Sequence, residues 1–123
     1  MIVLDSSCWI EFFSDGPQAE KIKPFLADLR QVLTPTIVLY EVYTFIKRER
    51  SEEEALRHVA LLQRARVEVF AEGNALWAAD VSLERGLSMA DAIVFSAAQA
   101  HDVPLVTMDA DFKGLPGVEY LGR

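Results

Sequence analysis

A chain of 123 residues with a net charge of −7 is the size of one domain, and its overall field repels rather than attracts nucleic acid. The single cysteine, Cys8, has no partner for an internal disulfide, which points to a buried thiol in a reducing, cytoplasmic setting. Asp5 interrupts the apolar amino terminus before a secretory leader can form, and no uncharged apolar stretch reaches the roughly 20 residues of a membrane span, so no membrane role is expected.

Ile2, Val3 and Leu4 form an apolar run without alternation, as suits a strand covered on both faces, and the run delivers Asp5 at its mouth. Ser6 and Ser7 are placed to cap a helix beginning Cys8-Trp9-Ile10. The turn Ser14-Asp15-Gly16-Pro17 then opens a second helix, Gln18 to about Arg30, which Pro24 should kink or split. Residues 31–33 suit a second strand. Thr34 and Pro35 read as an N-cap and a first helical proline, with the helix running through Glu49.

Ser51-Glu52-Glu53-Glu54 has capping-box spacing and starts a helix to about Arg64. Residues 67–70 are a third strand candidate, and Asn74 to Arg85 a helix closed by Gly86. Ser88-Met89-Ala90-Asp91 again has capping-box spacing and opens an Ala-rich helix to His101. Pro104 to Thr107 reads as a buried strand with Asp109 just beyond it, and residues 118–121 could add an edge strand. Lys47 to Arg66 holds six of the twelve Lys and Arg residues against four acids, a local excess of +2 that suits a solvated helix face or a surface for a polyanion.

Strands alternating with helices predict an α/β fold, a doubly wound sheet of about five mainly parallel strands with helices on both faces, over one domain spanning 1–123. Right-handed crossovers bring the carboxyl ends of parallel strands to one edge. Asp5 and Asp109 would share that edge, Asp91 would face it from the start of its helix, and Glu41 would reach it from low on the third helix. Each acid alone has an innocent account as a turn, cap or surface residue. Together they repel, by roughly 4 kcal/mol for a pair about 4 Å apart at an effective dielectric of about 20. An all-oxygen cluster with few nearby cations suits Mg²⁺ or Mn²⁺.

These residues resemble the PIN domains, small metal-dependent ribonucleases, and among them the toxins of VapBC-type pairs. The likeness spans the whole chain: Val-Leu-Asp5-Ser6-Ser7; Glu41 early in the helix after Thr34-Pro35; Asp91-Ala92-Ile93 before an Ala-rich helix; and Val106-Thr107-Met108-Asp109-Ala110-Asp111-Phe112. It implies that Asp5, Glu41, Asp91 and Asp109 are the catalytic, metal-binding quartet, with Ser7 and Thr107 as supporting hydroxyls and Asp111 at a position whose part varies. It further implies Mg²⁺, with Mn²⁺ as substitute, and hydrolysis of single-stranded RNA by a metal-activated water, leaving 5′ phosphate and 3′ hydroxyl ends. The implied partners are the RNA, a cognate antitoxin of a type II toxin–antitoxin pair and a second copy of the chain. Lys47, Arg48 and Arg50 are candidate RNA-positioning residues.

Two other readings stay open. A catalytically idle PIN-like module would bind RNA or protein without cleaving. A phospho-accepting receiver domain has similar size but wants paired acids at the first strand, where Leu4 precedes Asp5, and a lysine where Asp109 stands. His58 and His101 lie on or at the end of helices away from the quartet, and no nucleophile elbow, P-loop, Cys-x-x-Cys or His-Glu-x-x-His is present. The helix over residues 36–46 is apolar nearly all round, so Leu39, Tyr43 and Ile46 would form a patch for a partner unless the following helix folds back over them.

Overall fold

Two apolar tripeptides build the centre of the sheet in the computed structural model, which describes residues 1–122. β1 (Ile2–Leu4) and β4 (Leu105–Thr107) pair in parallel, Val3 with Leu105 and Leu4 with Val106. All four paired residues are 0% exposed. Successive strand residues point to opposite faces, so both faces of the sheet are covered. β2 (Val32–Pro35) flanks β1, while β3 (Arg66–Glu68) and β5 (Val118–Tyr120) form the two edges. The five strands are parallel throughout, in the order β3-β2-β1-β4-β5. The chain winds outward from β1 through β2 to β3, then crosses back to β4. The crevice between the carboxyl ends of β1 and β4 is therefore the switch point of the sheet, where such folds place ligands.

Several boundaries depart from the sequence reading for identifiable reasons. The first helix, α1 (Ser6–Phe13), begins two residues earlier than expected: Ser6 and Ser7 lie inside it, and Asp5 is its N-cap residue, making no side-chain cap bond. The expected helix from Gln18 to Arg30 is only α2 (Ala19–Ile22) followed by separate 3₁₀ turns at Lys23–Leu26 and Leu29–Gln31. Pro24 ends the α-helical bonding because it has no N–H to give, and Asp28 opens the last turn by accepting from the Arg30 N–H at 3.1 Å. Thr34 and Pro35 are not a helix start. They pair with Val67 and Glu68 as the end of β2, and all four residues of that strand are buried. Burial in the sheet outweighs the local capping preference, and α3 (Thr36–Glu49) starts one residue after Pro35.

α4 (Glu52–Leu62) starts as read, with Ser51 Oγ accepting from the Glu54 N–H at 3.1 Å, and folds back along α3. That corrects the expected partner patch: Ile46 is 3% exposed, and Leu39 and Tyr43 are partly buried against the core. Tyr40 on α3 is exposed, but more of the exposed apolar surface lies elsewhere. It gathers between α5 (Glu72–Arg85) and α6 (Met89–Ala100), where Phe70, Ala79, Leu83, Met89 and Ile93 line an open groove of about 480 Å³. Gly86 closes α5 at φ +69°, a left-handed conformation that residues with a Cβ adopt at a cost. Cys8 is 0% exposed, and burial together with the Asp5 charge pushes its thiol up to about 12, so it packs as an inert core residue. Among the described residues no helix is long and apolar enough to cross a membrane.

Candidate metal centre

Asp5 leaves β1 into the crevice and is only 4% exposed. Its Oδ2 accepts from the Ser7 hydroxyl at 2.7 Å and from the Thr107 hydroxyl at 2.8 Å. Each hydroxyl has one hydrogen, spent on Asp5, and its lone pairs are free to accept. Ser7 Oγ takes the Met108 N–H at 3.1 Å and Thr107 Oγ1 the Asp109 N–H at 2.9 Å. The backbone leaving β4 thus fixes the direction of both hydroxyls, and both hold the Asp5 carboxylate. Ser7 and Thr107, the hydroxyls that the resemblance names as supporting, are the two that donate to Asp5.

The other acids arrive from three directions. Asp91 stands in the first turn of α6, whose start is set by Ser88 Oγ accepting the Asp91 N–H at 3.3 Å. Asp109 follows β4, and Asp111 sits in a single 3₁₀ turn, Ala110–Phe112, that Asp109 Oδ1 opens by accepting the Asp111 N–H at 2.9 Å. One carboxylate oxygen from each of Asp91, Asp109 and Asp111 lies within 4.8 Å of the others. Asp5 and Glu41 face this trio closely enough for their charges to be felt. Burial, then the Asp5 charge, raise Glu41 from 4.5 to about 7, with Asp91 and Asp109 adding and a Ser6 hydrogen bond opposing. Burial and the charges of Asp109, Asp5 and Asp111 raise Asp91 to about 6, against a bond from Ser88. Burial also raises Asp5, although its bonds from Ser7, Thr107 and Ser6 favour the charged form.

None of these five acids makes an ion pair among the described residues. Asp5, Glu41 and Asp91 have raised pKa values, and with no ion pair to any of the five acids among the described residues the site is short of positive charge. All its donors are hard oxygens. That set fits Mg²⁺ or Mn²⁺ and not a softer ion. The four acids named from sequence come together here, and Asp111 joins Asp91 and Asp109 in the tightest grouping. Its signal was the Asp-x-Asp spacing, which a tight turn folds onto one side.

The remaining candidates lie apart. His58 stacks on Phe13, ring centroids 4.1 Å apart, with burial holding its pKa down, and His101 pairs with Glu68 beyond the end of α6. Lys47, Arg48 and Arg50 fall in the last turn of α3 and its C-cap, Lys47 about 9 Å along the axis from Glu41 at 1.5 Å per residue. Each is already paired with a glutamate: Lys47 with Glu52, Arg48 with Glu49 and Arg50 with Glu54. One residue that sequence reasoning missed is Tyr120, on β5, which shares an open depression with Ser7 and Asp109. No pattern marks it, since only strand order brings residue 120 beside residue 7.

Comparison with known proteins identifies the family and the fold. A family model described as the PIN domain matches residues 2–118, and the chain belongs to the PIN-domain family. Among solved structures it is similar to a chain of a toxin–antitoxin complex from Klebsiella pneumoniae, with 26% identity, TM-score 0.81, and 97% of this chain and 96% of that chain covered. It shares its fold with VapC20 of Mycobacterium tuberculosis, a Sarcin-Ricin loop cleaving toxin, at 22% identity and TM-score 0.80 over 97% and 98% of the two chains. A chain of VapBC2 from Rickettsia felis, bound to a DNA fragment from its promoter, follows at 20% identity and TM-score 0.76, with 98% of each chain covered. The search of curated protein sequences returned no match.

Proposed function

We propose that this chain is a metal-dependent endoribonuclease acting on single-stranded regions of RNA, and the toxin of a type II, VapBC-like toxin–antitoxin pair. The observation that carries the reading is the convergence of Asp5, Glu41, Asp91, Asp109 and Asp111 at the sheet's switch point, none of them in an ion pair among the described residues. PIN-family membership and similarity to a chain of a toxin–antitoxin complex support it. A divalent ion, when bound, supplies a Lewis acid for phosphate oxygens and water acidic enough to attack at neutral pH. Asp5, Glu41, Asp91 and Asp109 would hold Mg²⁺ or Mn²⁺, with Asp111 at the exposed rim. Ser7 and Thr107 keep Asp5 aimed at the crevice and prevent its rotation. The half-buried setting of Glu41 and Asp91 strengthens their attraction for a cation relative to open water.

The partners belong to the same reading. An antitoxin would silence the chain, and a second copy would cover the α5–α6 groove, where Leu83 and Met89 are 85% and 76% exposed. Lys47, Arg48 and Arg50 would add a weak phosphate-facing surface down α3.

The test is cleavage of single-stranded RNA by wild type and Asp5→Asn with Mg²⁺, Mn²⁺ or EDTA, with end analysis of the products. Metal-dependent cleavage leaving 5′ phosphates, lost in Asp5→Asn, supports the reading. Equal cleavage by both proteins, or in EDTA, contradicts it, and no cleavage of any RNA leaves an idle binding module.

A further inference from the structure

Beside the carboxylates the crevice widens into an open depression of about 480 Å³ lined by Ser7, Met108, Asp109, Ala110 and Tyr120. Ser7 and Asp109 already have parts in the site, whereas Tyr120 holds none of the acids. Its position is fixed by the sheet. Tyr120 is the register partner of Thr107, and the Leu121 N–H donates to the Thr107 carbonyl at 2.8 Å. Register partners in a parallel pair turn their side chains to the same face. The ring therefore stands one strand away from the hydroxyl that holds Asp5.

Lys113 lies over this ring, its Nζ 5.5 Å from the centroid. It is the only Lys or Arg between Arg85 and Arg123, a stretch that also holds Asp91, Asp102, Asp109, Asp111 and Glu119. Among the described residues it makes no salt bridge with any of them. The basic residues of α3 spend their charge on neighbouring glutamates. Lys113 sits instead on the aromatic face beside the depression, at the end of an exposed stem.

We infer that Tyr120 and Lys113 form a nucleotide-binding subsite of the substrate channel, in which a base next to the cleaved linkage stacks on Tyr120 and Lys113 meets an adjoining phosphate. This subsite rests on the ribonuclease reading. A flat π-face with a mobile cation beside it is the combination that holds single strands without reading their sequence. A duplex would present stacked bases that the ring cannot reach, so the subsite selects unpaired nucleotides. It also offers a positive contact where the carboxylates would otherwise repel the backbone. Tyr120 and Lys113 are positioning residues and carry no chemistry.

The probe is a fluorescein-labelled oligouridylate, its binding followed by anisotropy over a range of salt with Ca²⁺ present to neutralise the carboxylates, alongside steady-state cleavage in Mg²⁺ or Mn²⁺. Tyr120→Leu should weaken binding by roughly fivefold to a hundredfold, the range for one lost stacked base, and should raise KM more than it lowers kcat. Tyr120→Phe keeps the π-face and should restore binding. Lys113→Ala, at an exposed position that does not endanger folding, should reduce the salt slope by about 0.7, the value for one phosphate on a single strand. If Tyr120→Leu is folded by its melting curve and binds as tightly as wild type, or Phe does not restore binding, or the Lys113→Ala slope is unchanged, the subsite is overturned. A wild type that binds through Tyr120 yet cleaves no RNA overturns the ribonuclease reading and leaves the subsite standing.

Discussion

At the crevice between β1 and β4 a carboxylate, Asp5, is 4% exposed, while along α5 and the start of α6 Leu76, Leu83 and Met89 are 73%, 85% and 76% exposed. Both regions reverse the usual placement of polar and apolar groups, and they do so differently. The crevice buries charge and compensates it with two hydroxyls, each held in turn by a backbone N–H. The α5–α6 groove exposes aliphatic side chains with no compensation inside the chain. A buried acid with a built hydrogen-bond shell is arranged to hold a ligand of opposite charge. An uncompensated apolar face is arranged to be covered. On the proposed function the first serves chemistry within one chain and the second association between chains.

The largest expected effect breaks the crevice. Asp5→Ala should lower kcat/KM for RNA by about three orders of magnitude, about 4 kcal/mol of transition-state stabilisation, measured in Mg²⁺ with wild type alongside. Next is its shell. Thr107→Val keeps the shape and removes the donor to Asp5, and should reduce activity or metal affinity by about 10- to 100-fold. Because the Asp109 N–H also loses its acceptor, the variant should be less stable by the roughly 1–3 kcal/mol of a group left unsatisfied.

A smaller effect falls on the groove. Leu83→Lys should shift sedimentation from dimer to monomer and leave the melting temperature of the monomer unchanged, because Leu83 is exposed in the single chain. A wild type that is already monomeric would remove the self-association proposal and leave the crevice untouched.

The smallest effect is a pH dependence that distinguishes the two regions. Glu41, raised from 4.5 to about 7, and Asp91, raised from 3.8 to about 6, bind protons more tightly folded than unfolded. Their contribution to stability is therefore present in full below pH 4 and is lost as pH rises through 6 to 7. In EDTA, Glu41→Gln should melt higher than wild type at pH 8, and the difference should vanish near pH 4. Leu83→Lys should run parallel to wild type over the same range.

The crevice was more legible in the sequence than the groove. Ile2-Val3-Leu4-Asp5 and Leu105-Val106-Thr107 are continuous apolar runs ending beside acids, so the parallel sheet and the edge bearing Asp5 and Asp109 follow from pattern alone. Thr34-Pro35 misled because the same dipeptide that opens a helix also closes β2, and only pairing with Val67 and Glu68 decides between them. The groove was sought on α3, whose apolar faces are indeed many. Whether α4 covers them is a matter of helix packing that periodicity does not encode. Tyr120 is the extreme case, an ordinary edge-strand tyrosine until β5 is laid beside β4.

Divalent-ion binding is what separates a metal centre at the crevice from an inert cluster of acids. Titration calorimetry of the apo chain with Mn²⁺, at pH 7.5 and with Asp91→Asn in parallel, measures this without RNA or partner. Saturable binding by wild type, weakened at least about tenfold in Asp91→Asn, is the result expected when a metal ligand is lost. No heat of binding at millimolar Mn²⁺, or equal affinity in the two proteins, would contradict the account.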